Sequence, residues 1–269
     1  MIELRGKAVA DAHKAILQEK VAAVGDSVIT MAVLLVGEDH GAHMYATFME
    51  KTAKNFGYGF VLKELPETAT QDEVVTALQE LNNDAAVHGI LPFLIDMLDP
   101  KKDIDGLTTY NIGLVTAGKG GFAPCTAKAC MAILNHYDIP VEGKHVVVIG
   151  RSQVIGKPVA LMVLERHATV SICHSRTADL AHHIQQADIV IAAAGRAHMI
   201  TANMVKAGAV VIDVGINELD GKTVGDVDYD AVSTVASAIT PVPGGVGSVT
   251  TTMMLEAVYE AYHARNVNR

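Results

Sequence analysis

Tryptophan is absent from this chain of 269 residues, and only 4% of the residues are aromatic. The core must therefore be filled by small and branched aliphatic side chains, and alanine and valine dominate the 50% that are hydrophobic. That composition suits a valine-rich parallel sheet covered by alanine-rich helices, an α/β fold. Basic residues are in deficit: 21 Lys and Arg face 30 Asp and Glu, for a net charge of −9. The deficit excludes nucleic acid as a partner, because binding a phosphate backbone needs a basic face. No apolar run is long enough to span a bilayer and no signal peptide precedes the first amphipathic stretch, so neither membrane insertion nor export is expected. Cys125, Cys130 and Cys173 are an odd count without metal-type spacing and read as reduced thiols of a cytoplasmic protein. The 12 histidines are scattered, His182-His183 reads as a surface pair, and no metal site is expected.

What is present is a succession of strands and helices. Helical period runs from Gly6 to Val24, followed by a continuous apolar strand over Val28–Val36 and a loop at Gly37–Gly41. Ala42–Phe56 reads as a helix closed by Gly57, Phe60–Leu65 as a strand ended by Pro66, and Gln71–Leu81 as a helix. His88–Leu94 reads as a short strand interrupted by Pro92. This β-α-β-α-β order predicts parallel crossovers. From Asp99 to Gly121 the pattern turns polar and glycine-rich, which marks a domain boundary. A helix over Thr126–Tyr137, with Thr126 as its N-cap, leads into the second half. Strands recur at Ala168–Cys173, Ile189–Ala193, Ala209–Val214 and Val235–Ile239, and one amphipathic helix covers Ser248–Asn268.

The most informative stretch is His145-Val-Val-Val-Ile-Gly-Arg-Ser-Gln-Val-Ile-Gly-Lys-Pro158. A buried strand that opens through a glycine turn into a helix is how α/β domains cradle phosphates. Glycines allow close backbone approach, and the helix N-terminus offers free N–H groups and a positive dipole end. The spacing differs from the usual G-x-G-x-x-G, so an ordinary βα turn stays open at this point. The second strand ends in His174-Ser175-Arg176-Thr177, where NAD-binding domains place a carboxylate for the ribose 2′-hydroxyl. Arg176 here and Arg151 in the glycine loop suit a 2′-phosphate, which favours NADP; the alternative is two solvated surface arginines. Asp179, close to the strand end, keeps NAD open.

These residues resemble a family. Gly150-Arg-Ser-x-x-x-Gly-x-Pro158, Cys173-His-Ser-Arg-Thr177, Val211-Ile-Asp-Val-Gly-Ile-Asn217, Gly225-Asp-Val-Asp228 and Pro241-Val-Pro-Gly-Gly-Val-Gly247 are similar to motifs of the FolD family. Its members are methylenetetrahydrofolate dehydrogenases and methenyltetrahydrofolate cyclohydrolases. Asp103-Ile-Asp-Gly106, Asn111-x-Gly113, Pro124-Cys-Thr126 and Val36-Gly-x-Asp39 followed by Tyr45 extend the resemblance nearly end to end. It implies an N-terminal α/β folate-side domain (1–120, completed by the helix 248–269) and a Rossmann-like, doubly wound NAD(P)-binding domain (121–247). It also implies a C-terminal helix crossing back to the first domain, a cleft between domains and a homodimer. Residue by residue, it implies NADP contacts at Gly150, Arg151, Ser152, Gly156, Pro158, His174, Ser175, Arg176 and Ile216. On the folate side it implies Tyr45 and Asp105 as catalytic and substrate residues. Pro243, Gly244, Gly245, Val246, Gly247 and Thr250 then form a substrate loop opening into a helix capped by Ser248. Asp105 on its own reads as a turn aspartate; with the family behind it, its carboxylate suits the paired donors of a pterin edge.

Departures from the family pattern fall on the folate side. The family's cyclohydrolase chemistry relies on a lysine four residues after the tyrosine, and Tyr45-Ala-Thr-Phe-Met49 has methionine there. Lys51 lies about 200° around the helix from that position, onto another face, and Lys54 is also badly placed. The glutamine that supports the lysine is replaced by Phe93 in Gly89-Ile-Leu-Pro-Phe93, and the segment between Leu94 and Asp103 is short. Ala42 stands for a serine and Ser248 for a proline. A thioether has no transferable proton and activates no water. The residues therefore predict an NADP-dependent dehydrogenase with cyclohydrolase activity weak or absent. Two alternatives stay open: both activities, with Lys51 or Tyr45 serving the water, and a nucleotide-binding homologue that no longer turns over folate.

Overall fold

The computed structural model describes residues 1–25, 28–91 and 97–266. In chain order, β1 (Ile2–Glu3) and α1 (Gly6–Ala22) precede β2 (Thr30–Val36), α2 (His40–Asn55), β3 (Gly59–Leu65), α3 (Gln71–Asn83) and β4 (Gly89–Leu91). Two helices follow, α4 (Thr109–Thr116) and α5 (Cys125–His136). Then come β5 (His145–Ile149), α6 (Gly156–Leu164), β6 (Thr169–Cys173), α7 (Leu180–Gln185), β7 (Ile189–Ala192) and β8 (Val210–Asp213). The chain closes with β9 (Asn217–Leu219), β10 (Lys222–Val224), α8 (Tyr229–Val232), β11 (Ala238–Ile239) and α9 (Gly247–Asn266). Two compact units result, one of residues 14–125 and 253–269, the other of residues 1–13 and 126–252.

The first unit is built on a three-stranded sheet of order β3-β2-β4, every pair parallel. The parallel crossovers read from the sequence are made by α2 and α3. β2 is buried along its central five residues because both its faces are covered, which is why it reads as an unbroken apolar run. Thr70 and Glu73 form a reciprocal capping box at the start of α3, whose Val74, Ala77, Leu78 and Leu81 enter the core with Ala32, Leu34 and Ile90. The expected strand over 88–94 is described only as far as Leu91, and Phe93 lies outside the described residues.

The polar stretch 99–121 contains more structure than its composition suggests. α4 is capped by Thr108, and buried Asp103 accepts hydrogen bonds from Leu107 N, Thr108 N, Thr108 Oγ1 and Asn111 Nδ2. Lys102 is fully buried, with Nζ donating to the carbonyls of Leu81 (2.6 Å) and Asp84 (2.7 Å) at the end of α3. These carbonyls have no partner in the helix itself, so the ammonium acts as a C-cap. Burial, reinforced by the Arg265 charge, pushes the Lys102 pKa down to about 8. Lys102→Met is expected to destabilise the protein by about 1–3 kcal/mol in urea denaturation, because Leu81 O is left orphaned and Asp84 O keeps only Val87 N. Between pH 8 and 10.5 the unfolded lysine binds more protons than the folded one, so wild-type stability rises with pH there. The gap between wild type and Lys102→Met should widen over that window, and a narrowing gap would contradict the burial account.

The second unit carries a six-stranded sheet of order β1-β11-β8-β7-β5-β6, again with every pair parallel. β5 has the next strand in sequence, β6, on one side and β7 on the other, so the order reverses around it. This is the Rossmann-like doubly wound arrangement. The core under the sheet is aliphatic, with Val147, Ile149, Val190, Val211 and Ile239 at its centre. The first residues of the chain belong here: β1 pairs with β11, and Gly6 N donates to Gly244 O at 2.9 Å. α9 begins at Gly247, so Ser248 sits in its first turn and not at the cap; likewise α5 begins at Cys125, which places Thr126 inside the helix. Residues 253–266 of α9 count with the first unit, where Leu255 O accepts from Tyr58 Oη at 3.2 Å.

Candidate functional site

Ligands of open parallel sheets bind beyond the carboxyl ends of the strands, at the point where strand order reverses. In this chain that point lies at the ends of β5 and β7. A cavity of about 400 Å³ opens there, lined by Gly150, Arg151 and Ser152 after β5, His174, Ser175 and Thr177 after β6, and Ala193, Ala194 and Arg196 after β7. Ser152 Oγ accepts from Ile155 N (3.1 Å) and Gly156 N (3.3 Å), so this hydroxyl caps the entry to α6. His174 Nδ1 accepts from Arg176 N, which leaves Nε2 to carry the proton of the neutral ring. Among the described residues the lining includes no carboxylate, and neither Arg151 nor Arg196 is paired with one.

Five of the nine expected nucleotide residues line this cavity: Gly150, Arg151, Ser152, His174 and Ser175. Gly156 and Pro158 do not; they are buried in the first turn of α6. A Cβ on Gly156 would stand 2.2 Å from Gly150 O, so this glycine lets helix and loop pack together. Arg176 is exposed outside the lining. Asp179, which kept NAD open, is the N-cap of α7 and accepts from His182 N at 3.2 Å. Arg196 is a cavity residue that sequence reasoning missed; a lone arginine in a loop carries no signal of its own.

A second cavity of about 290 Å³ gathers Asp213, Gly215, Ile216, Thr223 and the whole run Pro241–Ser248. Pro243, Gly244, Gly245, Val246 and Gly247 are therefore together, and Ile216 joins them here and not at the first cavity. Thr250 stands apart on α9, its hydroxyl donating to Val246 O at 3.3 Å. Asp213 is 3% exposed and accepts from Gly215 N, Asp226 N and Val227 N, each at 3.0 Å. Burial, helped by the neighbouring Asp226 charge and opposed by those three N–H groups, pushes its pKa up to about 6.

Tyr45 and Asp105 belong to the first unit. Tyr45, on α2, is 40% exposed and its hydroxyl points at Met254 Sδ, 3.9 Å away. Desolvation and then the Asp105 charge push its pKa up to about 12. Asp105 is half-buried and accepts from Cys125 N at 2.9 Å, which places its carboxylate at the start of α5. Burial raises its pKa against that hydrogen bond. Met49 is fully buried in α2, whereas Lys51 is exposed.

Comparison with known proteins gives the same picture from outside. Residues 4–105 match the catalytic domain of tetrahydrofolate dehydrogenase/cyclohydrolase, and residues 124–266 its NAD(P)-binding domain. The Bifunctional protein FolD of Halalkalibacterium halodurans is 44% identical over 271 residues, covering 96% of this chain and 97% of its own. The bifunctional FolD enzyme of Campylobacter jejuni superposes with a TM-score of 0.94 at 40% identity, covering 98% of this chain and 99% of its own. The Trypanosoma brucei FolD, solved with NADP cofactor and an inhibitor, gives 0.92 at 32% identity, covering 100% and 99%. With two domain matches spanning both units and relatives at this identity over nearly full length, the chain belongs to the tetrahydrofolate dehydrogenase/cyclohydrolase family.

Proposed function

We propose that this protein oxidises 5,10-methylenetetrahydrofolate to 5,10-methenyltetrahydrofolate with NADP⁺, and that its cyclohydrolase activity is weak or absent. The observation that carries the first half is the cavity at the strand switch point. It offers Arg151, Ser175 and Arg196 and no carboxylate among the described residues, a donor set for an anionic ribose substituent. Bound NADP⁺ supplies the hydride acceptor. The rest falls to the chain: Arg151, Ser152, His174 and Ser175 hold the nucleotide, and the Pro243–Gly247 run shapes the neighbouring cavity. Asp105 accepts the paired donors of the pterin edge. The same reading makes the protein a cytoplasmic homodimer.

Hydrolysis of the methenyl bridge needs a positioned acid or base, a contribution of about 10²- to 10⁴-fold. Met49 has no proton to give and is buried. Tyr45, with its pKa pushed up to about 12, stays protonated at neutral pH, so it donates a hydrogen bond but takes no proton from water. A second reading, retention of both activities, is favoured by the bifunctional names of the relatives and by exposed Lys51 on α2.

One assay separates these readings. The purified protein is mixed with 5,10-methylenetetrahydrofolate and NADP⁺, and absorbance is followed for NADPH and for the methenyl product. Methenyl rising in step with NADPH is the expected result. NADPH without methenyl beyond its spontaneous decay establishes surviving hydrolysis. Absence of both products would overturn the folate assignment and favour a nucleotide-binding protein without folate turnover.

A further inference from the structure

Asp226 is fully buried, and its carboxylate gathers groups from distant parts of the chain. One oxygen accepts from Ala194 N (2.6 Å) and Gly195 N (3.0 Å); the other accepts from Arg196 N (2.8 Å) and from Asn217 Nδ2 (3.0 Å). Three successive backbone N–H groups of the loop after β7 are thus held on a single side chain. The backbone of Asp226 is fixed in turn by Asp213, and Gly215 makes room for the carboxylate, since a Cβ there would meet Asp226 Oδ1 at 2.3 Å. The arrangement has one evident product. It holds Arg196, whose guanidinium is exposed and free of carboxylates, on the same cavity wall as Arg151 and Ser175.

We infer that Arg196 is a determinant of NADP-over-NAD selectivity and that Asp226 is the positioning residue that presents it. Ser175 marks the end of β6, where this fold receives the ribose 2′ substituent, and a second guanidinium on that cavity gains more from a ligand that bears the 2′-phosphate beside its pyrophosphate. The inference rests on the reading of NADP as cofactor. A carboxylate is required at 226 because four donors need both oxygens as acceptors. Asparagine retains one acceptor and turns an amide against the remaining N–H groups, so the loop must shift.

The test is isothermal titration of the full protein with NADP⁺ and, separately, NAD⁺. Arg196→Ala is expected to weaken NADP⁺ about tenfold, the low end for a lost charge-assisted hydrogen bond, and NAD⁺ less than about twofold. Asp226→Asn should shift the NADP⁺/NAD⁺ ratio in the same direction, and the double variant should be no more selective against NADP⁺ than the worse single, because both act through one guanidinium. Asn217→Ala removes only one of the four donors; it keeps the test usable if Asp226→Asn does not fold, and it should lower the ratio about two- to fivefold. Equal weakening of both nucleotides by Asp226→Asn or Asn217→Ala would show a merely structural carboxylate and overturn the positioning role. An unchanged ratio in Arg196→Ala would overturn the selectivity role. Wild type that binds NAD⁺ but not NADP⁺ would overturn the cofactor reading itself, and this inference with it.

Discussion

Replacing Met49 by lysine, the residue the motif resemblance implies at this place, is expected to destabilise the protein by about 5 kcal/mol at pH 7 and to leave hydrolysis unrestored. Met49 is 0% exposed, so the new ammonium is stripped of water. Buried lysines respond by giving up the proton, with pKa values of about 5–6. Neutralising an ordinary lysine at pH 7 costs about 1.36 kcal/mol for each of roughly three and a half pH units, hence the figure of about 5. The sign of the pH dependence follows from the same shift. The folded pKa lies below the unfolded one, so stability is lowest below the folded value and rises with pH towards about 10.4. At pH 9 the penalty should shrink to about 2 kcal/mol. Guanidinium denaturation of both proteins at pH 7 and 9 checks this, with methenyl decay measured at pH 9, where Met49→Lys is better folded. A penalty under about 1 kcal/mol, or hydrolysis raised a hundredfold, would show that the site still opens to water at residue 49 and that methionine is the sole lesion.

That expectation depends on something the sequence could not supply. Methionine at position 49 is visible in the chain, but whether the position faces water or core is decided by what packs on α2. The same limit applies elsewhere. β5 and the turn after it were legible because Val146–Ile149 is an apolar run stopped by Gly150, and a buried parallel strand needs nothing more. β2 and α3 were legible for similar reasons of period. β9 and β10 were not anticipated, although Asp220-Gly221, both with positive φ, is a recognised hairpin turn; the strands are three residues each and hardly buried. α4 was hidden because its apolar residues form no one-sided stripe, and its one buried residue is Asn111. The Asp226 staple joins residues up to 32 apart, and no local pattern encodes which donors a buried carboxylate will gather. Gly156 shows the converse failure. Its importance was legible and its reason was not, because the atom it accommodates is a carbonyl of its own chain.

Gly150 is where two constraints meet, and Gly150→Ala should therefore be the most damaging small substitution in the nucleotide unit. Its φ is +124°, outside what an L side chain adopts comfortably, and an added Cβ would lie 2.1 Å from Ala193 O. The obstacle is backbone at the end of β7, so no rotamer change relieves it; β5 and β7 must move apart exactly where both line the cavity. A strained φ costs about 1–3 kcal/mol, and overpacking in a rigid core adds about 1–3 kcal/mol. Their combination gives an expected loss of about 3–5 kcal/mol by urea denaturation, with NADP⁺ affinity lowered more than tenfold in whatever fraction stays folded. Gly143→Ala separates the causes, since Gly143 has φ +70° and open space where a Cβ would go. It should lose only about 1 kcal/mol, the cost of a left-handed non-glycine residue, and bind NADP⁺ as wild type does. Equal losses at the two positions would show that φ alone matters at Gly150. The close approach of β5 and β7 would then be no constraint on the cofactor cavity, and the geometric basis for reading that cavity as a preformed nucleotide site would fall.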